Sequence, residues 1–146
     1  MRKSVAVAMG VILAAGMVLT AVLPYVKMEF ASSAHYTEQD TREYEYYTPD
    51  LLKKIPKISK DYEFNYSNIS GPQAFVFGIQ LNGTTDTSKI RDYLTSEGYE
   101  PQKQCQTESE CWRSPHSKDV VSFYQSTELN LVSVEIYRSE YTELPR

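Results

Sequence analysis

The chain has 146 residues, of which 41% are hydrophobic and 23% are charged, which is typical of a globular protein with one folded domain. Residues 27–146 contain 13 of the 15 Lys and Arg residues and all 19 acidic residues, a net charge of −6. A body this acidic lacks the basic face that binds phosphates, so we exclude a nucleic-acid-binding protein. The excess of acids favours a basic protein partner or simply keeps the domain soluble.

The N-terminal segment, residues 1–27, is predicted to be a membrane anchor. Arg2 and Lys3 come first, and the 22 residues from Val5 to Val26 then include no charged side chain. As a helix this stretch would span roughly 33 Å, enough to cross a hydrocarbon core of about 30 Å. The positive charges before it predict a cytoplasmic N-terminus and an exported C-terminal domain. We therefore expect a single-pass protein of a bacterial inner membrane with its domain in the periplasm.

The alternative is a cleaved signal peptide. Its apolar core would run from Val5 to Leu13, and the small residues Ala14, Ala15 and Gly16 would supply the cleavage site. Cleavage there would leave an apolar N-terminus on the mature protein, and we favour the uncleaved anchor for that reason. With cleavage the domain would be free in the periplasm or secreted.

Residues 28–47 are predicted to form a polar stalk rich in tyrosine. Acidic residues alternate irregularly with Tyr36, Tyr44, Tyr46 and Tyr47, and no period of two or 3.6 residues is sustained. The tyrosines argue against full disorder. We expect the segment to lie along the domain or to form a short helix.

The predicted domain, residues 48–146, opens with a helix. Thr48-Pro49-Asp50 combines a hydroxyl that could cap the helix, a proline at its first position and an acid in its first turn, and Pro56 ends it. Alternation of apolar and polar residues then predicts one strand around Tyr62, Phe64 and Tyr66, and a more apolar, central strand from Phe75 to Leu81.

A second helix is predicted after the central strand. A cap at Asp86 or Thr87 opens it, Ile90, Tyr93 and Leu94 share one side, and Gly98 supplies a left-handed residue at its end.

The two cysteines, Cys105 and Cys111, lie in the exported part and are predicted to form a disulfide. Five residues separate them, among them Glu108 and Glu110, and this spacing and acidity are typical of a structural bond rather than a redox-active pair. A zinc site would need two more ligands, and His35 and His116 are the only histidines. We therefore predict no metal and no cofactor.

Two further strands complete the domain, Val120 to Tyr124 and Leu131 to Tyr137, with Val132, Val134 and Ile136 on one side. The order of elements is a helix, two strands, a helix and two to four strands. It predicts an α+β protein: an N-terminal transmembrane helix followed by a small two-layer domain with an antiparallel sheet and one or two packed helices.

No pattern in the sequence demands catalysis. His116 lies in a Ser-Pro-His-Ser turn, but no Gly-x-Ser-x-Gly elbow and no glycine-rich phosphate loop accompany it. A small hydrolase that uses His116 is the third hypothesis. We expect that the protein is not an enzyme.

Tyrosine is the most unusual feature of the composition, with 12 residues. Tyr and Trp often anchor protein interfaces, although tyrosines also line ordinary cores. The candidate partner-binding residues are Glu108, Glu110, Trp112 and Tyr124.

The leading hypothesis is a non-catalytic module that binds another protein, in the form of an immunity or inhibitor protein against a toxin or hydrolase. The alternative is a structural subunit of a bacterial envelope machine, such as a secretion or division complex. Gly10 and Ala14 on the predicted span have the small-xxx-small spacing that permits helix contacts in such an assembly.

Overall fold

The computed structural model describes residues 1–105 and 109–143. Contacts divide the chain into two compact units, Met1–Ala31 and Ser32–Arg146. The first unit is one long helix, α1 (Arg2–Glu29), with a mean hydropathy of 2.5 in its most apolar window. Within the described residues, α1 is the one helix long and apolar enough to cross a membrane.

The second unit is a seven-stranded antiparallel sheet with three short helices, which fits the α+β class. Along the chain its elements are β1 (Ser33–Tyr36), α2 (Thr41–Tyr47), α3 (Asp50–Lys53), β2 (Asp61–Ile69), β3 (Ala74–Asn82), α4 (Ser88–Ser96), β4 (Glu100–Pro101), β5 (Glu110–Arg113), β6 (Val120–Ser126) and β7 (Leu131–Ser139). The strand order is β1-β2-β3-β7-β6-β5-β4, so β7, and not β3, occupies the middle of the sheet.

One side of the sheet, which we call the covered face, forms the core together with the helices. Its strand residues alternate along each strand and meet in register across the sheet. Two buried rows result, Phe64-Ile79-Val134-Phe123 and Tyr66-Phe77-Ile136-Val121-Trp112. The other side, the open face, has mainly polar side chains that are exposed or half-buried: Glu63, Asn65, Val76, Gln80, Ser122, Tyr124, Ser133, Glu135 and Tyr137.

Residues 28–47 include a short helix against the domain, one of the two forms expected for the predicted stalk, together with an edge strand that the sequence did not predict. Ser33–Tyr36 pairs with β2 as an edge strand, and Thr41–Tyr47 forms a helix on the covered face. Tyr47 stacks on Tyr66 with ring centroids 4.3 Å apart, and both rings are buried. Burial of these large aromatic rings stabilises the packing. The segment is short and has no periodic pattern, so its sequence does not predict this packing.

The expected helix at Thr48 is shorter than predicted and is capped differently. It comprises Asp50–Lys53, and the Thr48 hydroxyl is buried and hydrogen-bonded to the Tyr36 hydroxyl at 2.8 Å. Lys57 lies beyond the helix, and its Nζ donates to the carbonyl oxygens of Lys53 and Ile55 at 3.2 and 3.0 Å, which satisfies acceptors at the C-terminal end. Burial lowers the pKa of Lys57.

Three tyrosines of α2 and the sheet belong to the core, Tyr36, Tyr47 and Tyr66, and the half-buried Tyr44 and Tyr62 contact Phe64. Tyr36 contacts the rings of Tyr47 and Phe64, and it is 4% exposed. Burial raises the pKa of Tyr36 to about 12, opposed by its hydrogen bond with Thr48. The abundance of tyrosine is explained in good part by this aromatic core.

Alkaline pH is therefore expected to destabilise the domain. Unfolded tyrosine titrates near pH 10, whereas folded Tyr36 retains its proton up to about pH 12. The stabilisation from Tyr36 is thus complete below about pH 10 and is lost as the pH rises towards about 12. Urea unfolding at a series of pH values, with tyrosinate absorbance as a second signal, measures this loss. Tyr36→Phe should show a smaller loss of stability over the same range, and an equally steep loss would contradict the assignment to Tyr36.

Candidate functional site

The disulfide between Cys105 and Cys111 is present, as predicted, with the Cα atoms 5.9 Å apart. It ties strand β5 to the segment that follows β4, and Gln102 N donates to the carbonyl of Cys111 beside it. Glu108, one of the predicted contact residues, lies outside the described residues. The disulfide braces the edge of the sheet.

Glu110 and Trp112 lie on the covered face and interact with other parts of the same domain. The Glu110 carboxylate accepts two hydrogen bonds from Arg91 of α4, at 3.2 and 2.7 Å, and a third from Trp112 Nε1 at 3.0 Å. The Arg91 hydrogen bonds lower the pKa of Glu110. This group of three side chains ties α4 to the sheet.

Trp112, another candidate partner-binding residue, is buried in the domain. It is 4% exposed and belongs to a buried row of the covered face, with the ring of Phe123 6.3 Å away. The short strand β5 pairs with β6 and turns Trp112 inward. Because so little of its ring is accessible, we withdraw it as a direct contact residue.

Tyr124, a further predicted contact residue, lies on the surface and is 51% exposed. It stands on the open face, opposite Glu110 and Trp112, because strand residues of opposite parity point to opposite sides. Among the described candidates, Tyr124 therefore does not share a surface with Glu110 and Trp112.

A cleft on the helical side of the domain assembles a different set of residues. It has a volume of about 270 Å³ and is open to solvent. Its lining comes from α3, the C-terminal part of α4 and the turn between β5 and β6: Asp50, Leu51, Lys54, Tyr93, Glu97, Tyr99, Ser114, His116 and Ser117. This cleft is the candidate functional site.

The end of α4 places the two cleft tyrosines. Tyr99 N donates to the Leu94 carbonyl and Gly98 N to the Thr95 carbonyl, the paired bonds of a Schellman motif. Gly98 has a φ of +87°, a left-handed conformation that favours glycine, and it turns the chain so that Tyr99 lines the cleft. Tyr93 donates from its hydroxyl to the Leu51 carbonyl at 2.7 Å and so joins α4 to α3.

The electrostatic environment of the cleft is acidic. Burial raises the pKa of Tyr93 to about 12, and Glu97, Tyr99 and Asp50 act in the same direction. Burial likewise raises the pKa of Tyr99, against the effect of a hydrogen bond with Ser117. Both phenols are therefore uncharged at neutral pH, and the negative charge of the cleft resides on the carboxylates of Asp50 and Glu97.

Hydroxyl, imidazole and carboxylate groups meet in the cleft. Ser114 is buried, and its Oγ accepts a hydrogen bond from the backbone N of His116 at 3.2 Å. Within the described residues, no hydrogen bond joins the His116 imidazole to a serine hydroxyl or a carboxylate, and no group of three or more metal-binding side chains occurs. The cleft offers a ligand two aromatic rings, two carboxylates, serine hydroxyls, the Lys54 ammonium and the His116 imidazole.

Sequence reasoning missed this site because its parts are far apart in the chain. Asp50, Tyr93 and His116 lie on three different elements, and no local motif links them. The helix-start pattern at Asp50 and the Gly98 signal placed individual residues, but only the packing of α3 against α4 brings them together.

Comparisons of the chain with protein-family models, with curated proteins and with solved structures found no match.

Proposed function

We propose that this protein is a membrane-anchored, non-catalytic module that binds a basic region of another protein at the periplasmic side of a bacterial inner membrane. The observation that carries the proposal is the cleft between α3, α4 and the turn at residues 114–117. Within the described residues, neither Asp50 nor Glu97 forms an ion pair, and both are exposed. They are available to a cationic group from outside.

The charge of the whole domain supports the same partner. Residues 27–146 have a net charge of −6, and such a field accelerates the approach of a basic protein and disfavours acidic ones. Charge complementarity of this kind contributes to specificity and association rate more than to affinity.

The form of the module that we favour is an immunity or inhibitor protein against a toxin or hydrolase. A helix of the length and hydropathy of α1 would keep such a protein at the membrane, and a disulfide suits an oxidising compartment. A subunit of an envelope machine would share these two features, and the experiment below separates the two functions.

Affinity capture from an envelope extract tests the proposal, with the tagged full chain in detergent micelles as bait. The double variant Asp50→Asn, Glu97→Gln should bind the partner at least about tenfold more weakly, because it removes the two carboxylates that would face the basic group. A matched control, Glu63→Gln with Glu135→Gln, removes the same charge from the open face and should bind like the wild type.

The captured protein decides the form of the function. A single partner whose toxic or hydrolytic activity the wild type suppresses, and the cleft variant does not, supports an inhibitor. Several assembly proteins captured equally by both double variants would contradict the proposal and favour the envelope subunit.

A further inference from the structure

The aromatic rings of the domain show a repeated arrangement in which a cation lies near the ring face. Such contacts are attractive because a cation is drawn to the negative face of the ring, and they occur about once in 70–80 residues in ordinary proteins. Four such contacts are seen among the described residues, at 5.0 to 5.7 Å from cation to ring centroid: Lys53 on Tyr44, Lys57 on Tyr62, Arg91 on Phe123 and Arg138 on Phe77.

Tyr93 and Tyr99 depart from this arrangement. Both line the cleft and are half-buried, and in the part of the chain that the structure describes neither ring has a cation over it or another ring against it. These rings are uncharged, because each phenol retains its proton at neutral pH. They provide aromatic surface over which no cation of the described residues lies, although Arg138 acts electrostatically on Tyr99.

The charged side chains around the two rings are mainly acidic, which favours the binding of a cation. Asp50 and Glu97 contribute two carboxylates, whereas Lys54 is the one lysine or arginine among the described lining residues, beside the imidazole of His116. The cleft volume of about 270 Å³ lies just below the range of roughly 300 to 1,000 Å³ that is usual for drug-sized ligands. A single long side chain matches this size.

We propose that the cleft binds one arginine side chain of the partner, with its guanidinium against the rings of Tyr93 and Tyr99 and paired with the carboxylates of Asp50 and Glu97. Arginine fits better than lysine because a guanidinium is planar, stacks on aromatic rings, forms forked hydrogen bonds with carboxylates and is less strongly hydrated than an ammonium. This assignment rests on the proposed function and deepens it.

Titration of the full chain in detergent micelles with small probes tests the assignment directly. Three probes are compared by amide chemical shifts in NMR: Nα-acetyl-arginine amide, Nα-acetyl-lysine amide and Nα-acetyl-norleucine amide. The arginine probe should shift amides around Leu51, Tyr99 and Ser117 and bind at least about threefold more tightly than the lysine probe, as expected for ring stacking. The norleucine probe should cause no such shifts. Added salt should weaken the binding of the arginine probe, because it screens the attraction between the guanidinium and the carboxylates.

Variants then assign the binding groups. Asp50→Asn with Glu97→Gln should weaken the arginine probe about fivefold, since each exposed ion pair contributes about 0.5 kcal/mol. Tyr99→Leu should weaken it about threefold through loss of the ring. The control Glu63→Gln with Glu135→Gln should leave the affinity unchanged. Amide shifts far from the cleft establish that each variant is folded.

Several results would overturn the assignment: no shifts at the cleft with the arginine probe, equal affinity for arginine and lysine, or equal affinity of the two double variants. Capture of a partner that depends on Asp50 and Glu97, without binding of the arginine probe, would leave the proposed function standing and remove only the arginine assignment. Binding of the arginine probe without any captured partner would leave the arginine assignment standing and remove the proposed function.

Discussion

Replacement of Phe64 with alanine is expected to lower the free energy of unfolding by about 4 kcal/mol. Phe64 is completely buried, and its ring contacts those of Tyr36, Tyr44 and Tyr62. Removing it opens a cavity where β2 meets α2, and close-packed neighbouring side chains can fill that space only in part. Urea unfolding of the variant, followed by circular dichroism, measures the loss.

Phe75→Ala is the matched control, since it deletes the same side chain at a position that is 40% exposed. Phe75 stacks on Tyr66 and Phe77, so Phe75→Ala also loses stability. We expect this loss to be less than about half of the loss in Phe64→Ala. Equal losses in the two variants would contradict the conclusion that the aromatic core between α2 and the sheet carries the stability.

Replacement of both cysteines with alanine is expected to cost about 2 kcal/mol of stability in the chain-entropy account. The bond closes a ring of seven residues, from Cys105 to Cys111, and so restricts the unfolded chain. The ring is short, which limits the entropic gain relative to a long loop. Thermal unfolding measures this loss. The double variant and the wild type treated with a reductant should show the same decrease in unfolding temperature relative to the oxidised wild type.

The same double variant separates stability from binding. The cleft lies among α3, α4 and residues 114–117, and none of its lining residues belongs to the disulfide ring. We therefore expect the arginine probe to bind the folded double variant like the wild type. An unchanged unfolding temperature after reduction would show that the bond contributes little to the edge of the sheet.

The elements that were predicted correctly share a strong local signal. β2, β3 and β7 alternate apolar and polar residues over enough length to reveal a half-buried strand, and α4 has both an apolar side and a glycine at its end. α1 is recognisable from its uncharged length alone. In each case the residues that decide the structure are close neighbours in the chain.

The elements that were missed are short or depend on distant partners. β1 and β5 have four residues each and β4 has two, too few for a period to emerge. Their place comes from backbone hydrogen bonds to neighbouring strands. α2 is predominantly polar and aromatic, and it is held by ring contacts with β1 and β2, which no window of its own sequence contains.

The candidate contact residues illustrate the same limit. Composition drew attention to Trp112 and Tyr124 as aromatic residues, but aromatic side chains serve cores and surfaces alike. The pairing of β5 with β6 decides that Trp112 faces inward, and the parity of β6 decides that Tyr124 faces outward. The cleft could not be predicted from the sequence because two strands and a helix separate Asp50 from Tyr99 along the chain.

The amino-acid sequence by itself determined the long apolar helix, the α+β class, the longer strands and the disulfide, because each depends on periodicity, length or residue type within a short stretch. Only the tertiary structure decided which strands are neighbours, which tyrosines are buried and which carboxylates and rings meet in the cleft. The physical reason is that burial and charge environment arise from contacts between distant segments, and those contacts exist only once the sheet and helices have packed.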